Sequence, residues 1–377
     1  MFFLTKRNPI LLIFCFLLLL SCQSPKEKQF TESIPVSLNE ETATIFARQI
    51  ERSLYNDDPT FFNQAFDQTF IKKAISDNSI VSSSLDTEFG KEYFKNNISV
   101  GDFVLGAIRK GGDFKFIKYY KDGETHHIIF RLYSDYGITI DDYELHIGDN
   151  EIRIKDGFNY NLGVSLIQKI KYSILYNTLQ KTDPNGNTSI IAKADKLISE
   201  EKYKEAADLL QKNQELIKEY PHYHQLLLQS SFLAAPKQFI PFIEKLNLDH
   251  RTLLIHQLLY YTNSGNIQAS QKIIDELINI TGDDPIYLFL YGRANLISKK
   301  YNDALTCFKE LENALPPLWD IWTSSLECHY KLKQSDEFIN TLLMGEKNYS
   351  MTPEEMIQIT QENYPQMLGT VKKHFNK

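Results

Sequence analysis

Residues 285–318 read PIYLFLYGRANLISKKYNDALTCFKELENALPPL. Gly292, Tyr301, Ala304, Phe308 and Pro316 are spaced there as a helical hairpin requires. Ala304 is small because two helices cross closely at that point, and Gly292 opens room for the neighbouring helix. A frame 34 residues earlier begins at Arg251 and holds Tyr261, a Gly265-Asn266-Ile267 turn between helices, and small Ser270. A frame 34 residues later begins at Trp319 and holds Trp322 at its fourth position. Upstream, Ala194, Tyr203 and Ala206 fit the same frame, and Tyr223 to Ala234 with Phe239 to Leu246 reads as a shortened pair. Thr352-Pro353-Glu354-Glu355 is a capping pattern with Pro at the first helical position, so a last helix is expected to close the array.

These offsets match positions 8, 17, 20, 24 and 32 of a tetratricopeptide repeat, and residues 188–377 resemble an all-α tetratricopeptide-like solenoid with a C-terminal capping helix. The resemblance implies a groove lined by inner-helix positions 2, 5, 9 and 12. Here these positions include Ile255, Leu259, Phe289, Arg293, Leu296, Glu327 and Tyr330. A groove of mixed apolar and charged character suits a protein or peptide segment. The family's clamp for chaperone tails needs Lys and Asn at defined positions. This chain has Ile255, Phe289 and Thr323 at position 5, and Leu259, Arg293 and Glu327 at position 9, which argues against a C-terminal carboxylate as ligand.

Before the repeats the period changes. Ser37-x-x-Glu40 reads as a capping box ahead of a helix with Ile45, Phe46, Ile50 and Leu54 on one side. Pro59 suits the first turn of a second helix carrying Phe62, Ala65, Phe66 and Phe70, and a third helix is expected over Thr87 to Asn96. Phe114 to Lys121, Thr125 to Tyr133, Ile138 to Ile147 and Glu151 to Asn159 read as strands. Asp122-Gly123 and Asp149-Asn150 mark tight hairpins between them. Helices followed by a four-stranded antiparallel sheet make residues 37–181 an α+β domain. Its element order resembles the cystatin-like and nuclear-transport-factor-2-like folds. The breaker cluster Thr182 to Asn187 is the expected boundary with the repeats.

Unbroken alternation places His126, Ile128, Phe130, Leu132, Tyr143, Leu145, Ile147, Ile152 and Ile154 on the face that the helices cover. His126, Asp141, Tyr143 and Asp156 on that face form a candidate pocket, in which burial would raise carboxylate pKa values and permit acid–base work. Phe114, Phe116, Lys118, Tyr120, Ile129, Arg131 and Tyr133 are expected on the other face, and its aromatic end is expected to dock on the repeats or on a partner.

The start of the chain gives an address. Lys6 and Arg7 precede an apolar run that ends in Leu19-Leu20-Ser21-Cys22. This resembles the lipobox of bacterial lipoproteins, which implies a signal peptide over residues 1–21, acylation of Cys22 (with palmitate among its acyl groups) and a lipid anchor in the cell envelope. Gln23 in place of Asp implies the outer membrane rather than the inner. Residues 22–36 then read as a flexible tether. The layout resembles lipid-anchored repeat proteins of Bacteroidota-type bacteria, which carry a similar Arg131 to Asp135 and Gly137-Ile138 stretch.

A net charge of −7 and the absence of any basic block speak against nucleic-acid binding. With 24 Phe and 21 Tyr the chain is built for packed cores. Of its 4 cysteines, Cys15 leaves with the signal and Cys22 is acylated, so a disulfide is open to Cys307 and Cys328. No Cys-x-x-Cys, His-Glu-x-x-His or Gly-x-Ser-x-Gly is present, and neither a metal site nor a cofactor is expected. The sequence is therefore read as a lipid-anchored, non-catalytic envelope scaffold that binds protein through its repeats. The alternative is a small-ligand-binding or hydrolytic pocket in the α+β domain.

Overall fold

The computed structural model describes residues 37–134, 137–182, 186–218 and 220–375, all within one compact unit. The leader, Cys22 and the tether lie outside the described residues, as do residues 183–185 of the breaker cluster.

Among the described residues six helices precede the sheet, at Glu40–Tyr55, Thr60–Ala65, Gln68–Ile75, Ser79–Leu85, Glu88–Ile98 and Val100–Arg109. The first begins two residues later than the capping pattern suggested. Asn39 is its N-cap and pairs reciprocally with Thr42, while the Ser37 carbonyl accepts from the Thr42 hydroxyl and its Oγ from the Asn39 side chain. The expected second helix breaks at Phe66 because Asp67 caps a new one, accepting from the Phe70 N–H. The helix at Val100–Arg109 was not anticipated; it buries Val104 and Leu105.

The sheet is an antiparallel meander in the order β1-β2-β3-β4-β5. Its strands are β1 Asp113–Asp122, β2 Thr125–Ser134, β3 Gly137–Gly148, β4 Glu151–Asn159 and β5 Val164–Ser165. The four long strands fall where alternation put them, and the two-residue β5 makes the sheet five-stranded instead of four-stranded. Asp149 and Asn150 both hold positive φ, as a two-residue hairpin turn of this hand requires.

Two bulges redistribute the faces. In β1, Phe116 pairs with Phe130 but Lys118 pairs with Ile129, so Ile117 is the extra residue. Phe114 and Phe116 therefore join Phe130 beneath the helices, against expectation, and only the later half of β1 faces the other way. Phe114 stacks on Phe130 at 4.7 Å, and Phe62, Phe66 and Tyr143 complete a packed aromatic core. In β4, Glu144 pairs with Asp156 and Leu145 with Ile154, which takes Asp156 out of the row of Tyr143 and Ile154.

Helical hairpins follow. His250–Ser264 pairs with Ile267–Thr281, Ile286–Ile297 with Tyr301–Ala314, and Trp319–Leu332 with Ser335–Tyr349. The turn inside each pair uses one left-handed residue, at Gly265, Lys299 and Lys333, again 34 residues apart. A Cβ on Gly292 would stand 2.6 Å from Phe308 Cε1 and 3.1 Å from Cys307 Cβ, so the missing side chain is what allows the hairpin to close. Thr352 caps Pro353–Asn363 through a reciprocal pair with Glu355. A further short helix, Leu368–Phe375, returns alongside it, so the array ends in a hairpin and not in a single capping helix. Upstream, Asn187–Ser199 with Tyr203–Lys212 and Pro221–Ala234 with Phe239–Ile243 supply the earlier pairs. No helix among the described residues is long and apolar enough to cross a membrane.

Candidate functional site

The second face of the sheet is largely covered by the hairpins. Ile129, Ile140 and Tyr160 share a core with Leu254, Ile255 and Leu258 of the hairpins. Tyr133 and Ile138 share another with Ile286 and Phe289. Of the aromatic end expected to dock, near Phe114, Phe116 and Ile129, only Ile129 meets the hairpins; Arg131 and Tyr133 join it, and Phe114 and Phe116 take no part.

Charges thread this interface. Arg131, 1% exposed, lies between Asp113 of β1 (Nη1–Oδ2 2.7 Å) and Asp284 of the inter-hairpin segment (Nε–Oδ1 3.2 Å). Asp142, 2% exposed, accepts from Tyr120 Oη at 2.5 Å and from Arg251 Nη1 at 2.9 Å, with His127 Nδ1 at 3.0 Å. The Arg251 guanidinium also lies 4.1 Å from the centre of the Phe158 ring. Tyr133 donates to Asp320 at 2.8 Å. Arg251 and Asp320 open the first and third of these inner helices and Asp284 precedes the second, so the sheet engages the start of each of the three hairpins. Sequence reading missed this network. The legible signal was Arg131, a cation within an otherwise apolar strand, which must find a carboxylate if buried.

The four candidate pocket residues are drawn apart. His126 pairs across from Leu145, whereas Asp141 pairs across from Phe130, four positions away along the strands or about 13 Å. His126 shares a 2.7 Å hydrogen bond with Tyr119, and burial, with Lys121 nearby, lowers its pKa. Asp141 accepts from Asn159 at 2.7 Å, and burial still pushes its carboxyl up to about 6. Tyr143 is held among Phe62, Phe66 and Phe130, and its pKa is raised by burial. Asp156 accepts from the Gly157 and Ile167 N–H groups, the latter at the start of the helix Leu166–Thr182; burial raises its pKa. Of the four, Tyr143 alone sits in the packed aromatic core.

The groove positions divide. Ile255, Phe289 and Leu296 are each 7% exposed and belong to the interior, against the expectation that they line an open groove. The sheet covers Ile255 and Phe289 near the starts of their helices, while Leu296, at the far end of Ile286–Ile297, is buried in hairpin packing. Tyr330 packs on Tyr364 of the last hairpin at 5.4 Å. Leu259 remains 41% exposed, and Arg293 and Glu327 are half-buried, so position 9 is the row still open in all three hairpins. Cys307 and Cys328 are free thiols and not a disulfide. Each is buried in hairpin packing, and burial raises their pKa values to about 11 and about 12.

A cleft of about 590 Å³ lies elsewhere, where the helix Leu166–Thr182 meets the short helices around residues 214–247. Gly163, Tyr172, Lys218, Tyr220, Tyr223 and His224 are among its walls. A smaller cavity of about 60 Å³ adjoins it beside Thr252. No group of three or more His, Cys, Asp or Glu side chains is placed to hold a metal among the described residues.

No protein-family profile matches the chain, and no curated protein matches it. Among solved structures, the crystal structure of the APC/C hetero-tetramer Cut9-Hcn1 is similar, with 16% identity over 56% of this chain and a TM-score of 0.34. The chain spans 43% of the length of that one. A TM-score of 0.34 fixes neither fold nor partner.

Proposed function

We propose that this chain is a lipid-anchored envelope protein that binds a protein partner along its helical hairpins and performs no chemistry itself. The observation that carries the binding role is the row Leu259, Arg293 and Glu327. These side chains recur at 34-residue intervals on successive inner helices and stay accessible after the sheet has taken the helix starts. An apolar contact beside one positive and one negative side chain suits an extended or helical peptide segment of mixed charge. Support for a non-catalytic role comes from the duties already held by Asp141, Asp156, His126 and Tyr143 in sheet and helix packing. Support for the anchor is the Leu19-Leu20-Ser21-Cys22 run, with Gln23 favouring the outer membrane.

A photo-crosslinking residue placed at 259, 293 or 327 in cells tests the binding role. The expected result is one shared partner from at least two positions, lost when Arg293→Glu reverses the charge of the row. Monomer alone from all three positions overturns it. Cys22→Ala is expected to move the protein out of the membrane fraction without unfolding it, and an unchanged membrane fraction refutes the anchor.

A further inference from the structure

We propose that the cleft between the helix Leu166–Thr182 and the helices Gln214–Ile217 and Pro221–Ala234 binds a short neutral saccharide. Its volume of about 590 Å³ lies in the range of small-ligand sites, about 300–1,000 Å³. The chemistry of its walls selects the ligand. Gln168, Gln214 and Asn247 are exposed carboxamides at the cleft. A carboxamide both donates and accepts, which matches the double character of a sugar hydroxyl. Tyr172 supplies a half-buried aromatic ring, backed at 6.3 Å by the buried ring of Tyr220, against which the C–H face of a pyranose can lie.

Other ligand classes fit less well. Among the described residues no carboxylate lines the cleft. Its one lysine, Lys218, is paired with Glu215 at 2.6 Å, so an anion would have to compete for that charge. Strand addition by a peptide is disfavoured, because the Ser165 N–H of the short strand β5 is already given to Gln168 Oε1 at 3.0 Å.

Buried hydroxyls make the second argument. Tyr223 Oη and Thr252 Oγ1, on residues lining the cleft and its smaller neighbour, are withdrawn from solvent and have no protein partner. A buried hydroxyl left unpaired costs about 1–3 kcal/mol. Neither oxygen is reachable from the cleft as placed, so a hydroxyl-rich guest satisfies them only by turning each side chain toward it. The site does not depend on the position-9 row, which lies on later hairpins.

Isothermal titration of the full-length protein, in a detergent without a sugar headgroup, tests the proposal with maltotriose, cellotriose, mannotriose and chitotriose. At least one is expected to bind saturably. Gln214→Ala and Asn247→Ala, both at exposed positions, are each expected to weaken binding about tenfold, the effect of one lost hydrogen bond. Leu259→Ala is expected to leave it unchanged. Absence of saturable binding by all four sugars at about 10 mM overturns the site. So does binding that survives both carboxamide substitutions.

Discussion

Arg131 Nε lies 3.2 Å from Asp284 Oδ1, and the two side chains are 2% and 5% exposed. One sits in the middle of the sheet and the other between two helical hairpins, so this ion pair joins the halves of the molecule. Two ions withdrawn from water gain little net stability as a pair, but removing one leaves the other buried and uncompensated. Arg131→Met is therefore expected to destabilise the protein by about 3–5 kcal/mol, because Asp113 and Asp284 both lose their cation. Urea unfolding followed by circular dichroism measures it. A loss below about 1 kcal/mol would show that water already reaches the pair.

Asp141 sets a dependence on pH. Its folded-state pKa, about 6, lies above the ordinary carboxylate value, chiefly through burial. The folded state therefore holds this proton more tightly than the unfolded state does. The stabilisation is fully present below the unfolded pKa and is lost as pH rises through about 6. Asp141→Asn keeps an acceptor for Asn159 and removes the titration. It is expected to raise the urea midpoint at pH 7.5 and to change it little at pH 4, and equal effects at both would contradict the assignment.

Hairpin closure has two opposed tests. Gly292→Ala places a methyl 2.6 Å from Phe308 Cε1 and is expected to cost about 1–3 kcal/mol through overpacking. Lys299→Gly removes the strain of a left-handed lysine at φ 63 and is expected to gain about 1 kcal/mol. Thermal melts of the two variants should shift in opposite directions. If both lower the melting temperature, Lys299 contributes more through its side chain than its backbone costs.

Cys307 and Cys328 are expected to resist alkylation at pH 8 in the folded protein. Both are buried, and burial raises the pKa of each well above the reagent's working pH. In urea both should label. Rapid labelling of either without denaturant would mean that its hairpin opens locally.

The helical frame and the strand limits were open to sequence because they rest on local signals. Small residues at crossings recur with the repeat, and Asp149-Asn150 turns the chain within two residues. The facing of two strands was not, and one inserted residue in each explains why. Phe114, Phe116, Lys118 and Tyr120 alternate without a break, so an unbulged β1 would place them all on one side. Ile117 interrupts the ladder, sending the two phenylalanines beneath the helices while Lys118 and Tyr120 stay toward the hairpins. Lys155 does the same to Asp156 in β4. A bulge is decided by what packs on each face, information that neither strand carries alone.

By itself the sequence determined the four long strands and the 34-residue pitch of the hairpins, since each is written within a few consecutive turns of chain. Only the tertiary structure decided that the sheet caps the hairpins through Arg131, Asp142 and Arg251. Partners 109 and 153 residues apart meet there because a buried charge must be matched in space, wherever along the chain its counter-ion lies.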